Sequence, residues 1–315
     1  MADGTLPTII LGGSDRRPVR LPDDARDKHP LPGYKGVDLR IHSRPVVEIL
    51  VERLEASGEF GPIYIAGPAS AYGTVKTRAR LIDTNGSVGA NIANSIGEVR
   101  LRHPGAPVAF ATCDILPDVE ALRSAMADWK RRAPCDLWFP LIRAPRERSL
   151  LGASSWKPFY HVVPERGQPP VDVLPGHILV ADPDALRLRF IHSLLDTGYR
   201  TRNRSILYRI FVLVGGLVGG ILYHDALHVL GGRLPTLTRD TVGAGVAMGL
   251  KLRRGRAILA DLENAVRSIF VKRRHQDLFP DRRVALPILE GLSLALDIDT
   301  EEEAREKEQA PGAIA

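Results

Sequence analysis

The chain has 315 residues, 44% of them hydrophobic and 25% charged, with a formal net charge of +6 and two cysteines, Cys113 and Cys135. This balance excludes a disordered chain and a disulfide-framed module, and leaves room for one large core or a core with an appendage. The positive charge favours an anionic partner. No arginine run interleaved with aromatics marks a nucleic-acid groove, and the first residues form no secretory signal, so a reducing cytoplasm is expected.

Residues 8–11 form a short apolar run that reads as a buried strand, stopped by Gly12 and Gly13. Two residues later Arg16 and Arg17 place fixed positive charge where a phosphate can sit. The stretch 14–34 is polar and rich in Pro, Asp and Arg, a flap over the strand end or a disordered loop. The spacing predicts a helix over 45–57 with Gly58 as its stop. Strands are expected at 63–66, 81–82, 108–112 and 137–141, with helices at 88–99 and 119–132, the second capped by Asp118. Such alternation predicts a mostly parallel sheet covered on both faces, which binds ligands beyond the carboxyl ends of its strands. Those ends carry Gly12-Gly13, Gly67-Pro68, Asp83 and Asp114.

Asp114 closes the apolar run 108–113 and leads into Ile-Leu-Pro117. A carboxylate at a strand tip is suited to Mg²⁺, which needs few protein ligands, or to capping a turn. Asp297 and Asp299 alternate around Ile298, so an extended backbone points both to one face, where they need a cation between them. Thr300 and Glu303 have capping-box spacing for a last helix.

Four stretches in this order resemble the GT-A-type nucleotidyltransferases, the superfamily of the molybdenum-cofactor nucleotidyltransferases, sugar-phosphate nucleotidyltransferases and CMP-sugar synthetases. Ile10-Leu-Gly-Gly-Ser-Asp-Arg-Arg17 is similar to the opening Leu-Ala-Gly-Gly-x-Gly-x-Arg. Tyr34-Lys35 followed by His42-Ser-Arg-Pro45 is similar to the lysine that precedes the second turn, with the spacing one residue longer. Asp114-Ile-Leu-Pro117 resembles the metal-binding Asp-x-Pro, and Asp297-Ile-Asp-Thr-Glu-Glu-Glu303 the closing Asp-Ile-Asp-Thr-Pro-Glu-Asp. The likeness covers about residues 5–192 and 293–305.

The resemblance implies an α/β fold, a Rossmann-like GT-A three-layer sandwich with a mostly parallel sheet, here with an α-helical insertion. It implies an NTP substrate and Mg²⁺, transfer of an NMP group to a small-molecule acceptor, and release of pyrophosphate. Gly12, Gly13 and Ser14 would line the nucleotide with backbone N–H groups, Arg16 and Arg17 would hold its phosphates, and Lys35 would neutralise the α-phosphate. Asp114, Asp297 and Asp299 would bind the metal, and Ser87 and Asn91 would face the base or ribose. A turn capping the next helix accounts for Ser87 and Asn91 equally well. One position departs from the pattern: Asp15 stands where the family has glycine. A carboxylate there repels a triphosphate, so a non-catalytic binding or scaffold protein is the competing expectation. A glycosyltransferase on the same fold would want a second acid beside Asp114, and Ile115 and Leu116 supply none.

Residues 156–163 and 172–180 read as strands on the acceptor side, followed by a helix over 182–195. Lys157, His161 and His177 lie there; they could touch an anionic substrate, but the reading that leads is of ordinary surface or core residues. The chain is expected to divide into a core at 1–195, a wholly helical insertion at 196–292 and a return to the core at 293–315. Within the insertion, 206–223 approaches the length of a membrane span, but Arg209 interrupts it and His224-Asp225 follow at once, so a buried helix or a membrane-surface contact is expected over a true span. His224 and His228 share a helix face around Asp225, a weak match to zinc-ligand spacing with no third ligand downstream.

Overall fold

The computed structural model describes residues 5–13, 30–201, 221–223, 225–226, 229–232, 235–253 and 257–309. In chain order, β1 (Leu6–Leu11) leads to a short α1 (Lys35–Asp38) and the hairpin β2 (Arg40–Ile41) and β3 (Arg44–Pro45). Then follow α2 (Val46–Ser57), β4 (Phe60–Gly67), α3 (Ala69–Tyr72), β5 (Arg80–Asp83), α4 (Val88–Arg102), β6 (Val108–Thr112) and α5 (Val119–Arg132). The second half has β7 (Cys135–Trp138), β8 (Leu141–Arg143), β9 (Tyr160–Val162), β10 (Val171–Pro175), β11 (Ile178–Ala181) and α6 (Leu188–Thr201). It ends with α7 (Thr236–Arg253), α8 (Leu259–Phe270), α9 (Arg273–Leu278), β12 (Arg283–Ala285), β13 (Ile288–Leu289) and α10 (Glu301–Gln309).

Seven strands form the main sheet in the order β12-β7-β11-β6-β1-β4-β5. All pairings in it are parallel except those of β11, which runs antiparallel to both neighbours. Successive side chains of β1 leave by opposite faces: Ile10 packs with Val47, Leu50 and Leu54 of α2 and Leu122 and Met126 of α5, whereas Ile9 packs with Ile96 and Val99 of α4. Both isoleucines are fully buried, which makes the helix–sheet–helix layering a direct consequence of the apolar run at 8–11. The expected Rossmann-like three-layer α/β architecture is therefore present. The helix ends follow local rules too. Gly58 stops α2 with φ of +73°, and its N–H donates to the Glu55 carbonyl.

Several boundaries differ from the sequence expectation, among them the strand expected at 156–163, which is confined to Tyr160–Val162. The strand expected at 137–141 is two strands, because Pro140 has no N–H for a ladder and the chain leaves the main sheet there for a second one. That second sheet has the order β13-β8-β10-β9. The strand expected at 172–180 breaks at Gly176-His177 for the same change of sheet. Gly176 donates to the Pro140 carbonyl, and a Cβ at Gly176 would lie 2.8 Å from that oxygen. The helix expected from 182 begins at Leu188, since Asp182 and Ala185 close a turn first. Residues 196–292 are not wholly helical: Arg283–Ala285 joins β7 in the main sheet and Ile288–Leu289 joins β8 in the second. Asp118 occupies the N-cap position of α5 without a side-chain cap bond.

Candidate active site

The carboxyl ends of β1, β4, β5 and β6 lie along one edge of the main sheet, and the acidic residues singled out above gather there. After β6 the backbone of Asp114 is joined to the C-terminal segment: the Ile298 N–H donates to the Asp114 carbonyl at 2.7 Å, and Ile115 forms an antiparallel bridge with Asp297. Arg53 of α2 holds the following turn by donating to the Leu116 carbonyl at 2.9 Å. Oxygens of Asp114, Asp297 and Asp299 lie within 4.8 Å of one another. The box at 300–303 forms as expected, with Thr300 Oγ1 accepting from the Glu303 N–H at 3.2 Å. Glu303 Oε2 accepts from the N–H groups of both Asp299 and Thr300. The box thus starts α10 and also fixes Asp299.

Lys35 is buried and reaches the same cluster. Its Nζ pairs with Asp299 Oδ1 and lies 3.8 Å from Asp114 Oδ2. Gly36 permits this placement, because a Cβ on it would lie 2.9 Å from the Cβ of Cys113, one residue before Asp114. Cys113 itself is inert: burial, then the Asp114 charge, push its thiol up to about 12.

Lys157 and His177, for which the sequence favoured an ordinary role over a substrate contact, both lie against Asp297. Lys157 Nζ lies 2.6 Å from Asp297 Oδ1, 3.3 Å from Asp299 Oδ2 and 3.5 Å from Glu303 Oε1. Burial opposes its charge, but the three carboxylates outweigh burial and hold the ammonium above the ordinary lysine value. His177 Nε2 is 3.6 Å from Asp297. His161 stays outside, exposed and paired with Asp172 across β9 and β10. A signal for Lys157 was present in the sequence. Three acids at 297, 299 and 303 need a cation, and Lys157 is set among Trp156, Pro158 and Phe159.

Burial pushes the Asp114 carboxyl up to about 6, and the neighbouring Asp297 charge adds to that. Burial works against the Asp297 carboxylate as well, but Lys157 and His177 override it and hold the group at about 2. The two acids thus sit in opposite environments within 4.8 Å of each other. Asp114 Oδ1 is buried without a hydrogen-bond partner. Among the described residues, two ammonium groups face four carboxylates, an excess of two negative charges. Hard oxygen donors, an unused carboxylate oxygen and that charge excess fit one divalent cation such as Mg²⁺.

The glycine-rich opening divides. Gly12 is not a free donor: its N–H bonds to the Ala66 carbonyl at 2.8 Å, and a Cβ there would lie 2.7 Å from the Tyr72 ring. Its glycine serves packing against Tyr72, which corrects the expectation that its N–H faces a nucleotide. Gly13 is exposed, with open space where a Cβ would be. Ser14, Asp15, Arg16 and Arg17 lie outside the described residues, as do 206–220, His224 and His228. Ser87 caps α4, accepting from the Ala90 N–H, and its hydroxyl donates to Asp196 at 2.8 Å. Asn91 Oδ1 accepts from the Gly86 N–H at 2.8 Å. Both side chains therefore do the capping work that the sequence allowed as their other reading.

A second acidic group, Asp136, Asp182 and His275, lies at the opposite edge of the sheet. Arg282 already sits between the two acids, 2.7 Å from Asp136 and 2.6 Å from Asp182. This group is an ion-pair network.

No protein-family model matches the sequence, and no curated protein matches it. Among solved structures, a hypothetical transferase from Thermus thermophilus is similar over 95% of this chain and 99% of its own, with a TM-score of 0.50 and 19% identity. The chain shares the α/β fold of that protein. The 4-diphosphocytidyl-2C-methyl-D-erythritol synthase of Anaerococcus prevotii matches at a TM-score of 0.42 and 7% identity, over 97% of this chain and 98% of that one. A CMP:2-keto-3-deoxy-manno-octonic acid synthetase complexed with CTP matches at 0.40 and 12% identity, over 66% of this chain and 84% of that one. The edge that carries Asp114 is where the sheet's parallel strands end, the place where open α/β sheets bind ligands.

Proposed function

We propose that the chain is a metal-dependent nucleotidyltransferase that transfers an NMP group from an NTP to a phosphorylated or hydroxyl small-molecule acceptor. The observation that carries this reading is the meeting of Lys35, Lys157, Asp114, Asp297 and Asp299 at the carboxyl edge of the sheet, assembled from four distant stretches of chain. An oxygen of the acceptor attacks the α-phosphorus, the bond from that phosphorus to the bridging oxygen breaks, and pyrophosphate leaves. Charge neutralisation and alignment supply most of the rate in such a transfer. Lys35, paired with Asp299, would neutralise the α-phosphate, and Lys157 would be a second fixed cation on the acceptor side. Asp114, Asp297 and Asp299 would hold Mg²⁺, which when bound neutralises phosphate charge. Gly13, Ser14, Arg16 and Arg17 complete the reading as the triphosphate-binding stretch, with Arg17 as the residue carried over from the family pattern.

The test is a thermal-shift series with CTP, GTP, ATP and UTP, each with and without Mg²⁺, on the native chain and on Asp114→Ala. A nucleotide at 100 times its dissociation constant adds about 2.7 kcal/mol. One nucleotide is expected to stabilise the native chain in a Mg²⁺-dependent way and to lose that effect in Asp114→Ala. Pyrophosphate release with a panel of sugar phosphates and alcohols then identifies the acceptor class. No shift with any nucleotide, with or without the acceptor panel, leaves the non-catalytic reading based on Asp15.

A further inference from the structure

Helix α10 starts beside the acid cluster and reaches segments on both sides of it. Glu303 accepts from the Ser154 hydroxyl at 2.7 Å and lies 3.5 Å from the Lys157 ammonium. Three residues on, Glu306 Oε2 accepts from the Ala153 N–H at 3.0 Å. Ala153 and Ser154 end a 3₁₀ turn, Arg148–Ser154. That turn closes on Glu306 because residue 152 is glycine. Its φ is +54°, in the left-handed region, and a Cβ there would overlap the Glu306 carboxylate. The turn in turn places Lys157, whose N–H donates to the Ser154 carbonyl at 3.1 Å. Glu308 reaches the other side. Its Oε1 accepts at 2.6 Å from the His42 N–H, at the tip of the β2–β3 hairpin that follows α1 and Lys35. His42 and Ser43 have φ of +48° and +66°, a region that residues other than glycine rarely enter and keep only where neighbours hold them.

We propose that α10 is a clasp on the candidate active site, and that Glu306 is a positioning residue for Lys157, acting through the turn at 152–154. The inference rests on the transferase reading and adds to it a residue outside the acid cluster. Glu303 is a poor handle on this role. It is buried, and it also accepts from the N–H groups of Asp299 and Thr300, so its loss would disturb folding and site together. Glu306 is different. It is exposed, and a carboxylate at an exposed position contributes little to stability by its charge. What it fixes is the backbone four residues before Lys157. Without it, the ammonium is directed only by Asp297, Asp299 and Glu303 and no longer by a held turn. Reactions that depend on alignment lose rate when a positioned charge shifts by about one ångström, even though the fold is kept.

The test compares Glu306→Ala and Glu306→Gln with the native chain, using the four nucleotides, Mg²⁺ and the panel of sugar phosphates and alcohols. Glutamine keeps an oxygen that can accept the Ala153 N–H, whereas alanine does not. Glu306→Ala is expected to stay near the native thermal midpoint and to keep the nucleotide-induced shift. Its amides at 152–157 should exchange faster, and its acceptor kcat/KM should fall by about tenfold or more. Glu306→Gln should recover most of that loss. Unchanged exchange at 152–157, or an unchanged acceptor kcat/KM, in Glu306→Ala overturns the proposal. So does an equal loss in Glu306→Gln, which would assign the effect to charge and not to the held turn. A nucleotide shift that falls in step with kcat/KM also overturns it, because the whole site would then have loosened. Failure of the transferase reading shows in the native chain alone, as neither nucleotide shift nor pyrophosphate release, and the positioning role then falls with it.

Discussion

Lys157 illustrates how much one buried charge can decide. Its ammonium lies against Asp297, Asp299 and Glu303, and its side chain is 7% exposed. Removing one partner from such a group leaves the others as uncompensated buried charge, at a cost of about 3–5 kcal/mol. Lys157→Met is therefore expected to lower the urea midpoint of the apo protein strongly. A divalent cation answers the same carboxylates, so added Mg²⁺ should restore more stability to the variant than it adds to the native chain. Equal Mg²⁺ responses in the two proteins would show that the cation does not use Asp297 and Asp299. Residue identities also explain what the sequence could show here. Asp114, Asp297 and Asp299 are conspicuous because acids interrupt apolar runs, whereas Lys157 becomes conspicuous only once those acids are known to need a cation.

At the scale of elements, α1 is four residues long and owes its position to one missing Cβ. Gly36 rests on Cys113, whose Cβ, Sγ and carbonyl oxygen would lie 2.9, 3.1 and 3.2 Å from an added methyl. Gly36→Ala must lift α1 from the end of β6 and so move Lys35 away from Asp114 and Asp299. Overpacking of this kind costs about 1–3 kcal/mol. A modest fall in thermal midpoint is expected, together with a larger loss of the nucleotide-induced shift. Loss of stability with an unchanged nucleotide response would exclude α1 as the carrier of a nucleotide-binding lysine. Helices with a full apolar stripe and a stop signal, such as α2 with Gly58, follow from local rules. Strands β7 and β8, and β12 and β13, do not. Each pair is one near-continuous apolar stretch broken by a single proline, Pro140 or Pro287, and the break marks a passage between two sheets that no local pattern encodes.

Over the whole molecule, residues 259–282 are anchored to the core at the edge opposite the candidate site. Asp136 at the start of β7 is fully buried, and it receives Arg282 at 2.7 Å and His275 at 3.0 Å, with Arg267 of α8 3.8 Å away. Asp136→Ala strips Arg282, His275 and Arg267 of their shared partner. The expected loss is about 3–5 kcal/mol, with hydrogen exchange rising across 259–282 before the rest of the chain. Uniform acceleration everywhere would mean that the core and this segment unfold as one unit. The sequence by itself determined the alternating strands and helices, the sandwich layering and the three acids that stand out from apolar runs, because apolar periodicity and acids at strand tips are local facts of composition. Only the tertiary structure decided that Lys157 and His177 join those acids, that Gly12 serves Tyr72, that Ser87 and Asn91 bind their own turn, and that 283–289 returns to the sheets. Each of these depends on which distant segments share one small volume, and burial there changes the charge a side chain can hold and the partners it must find.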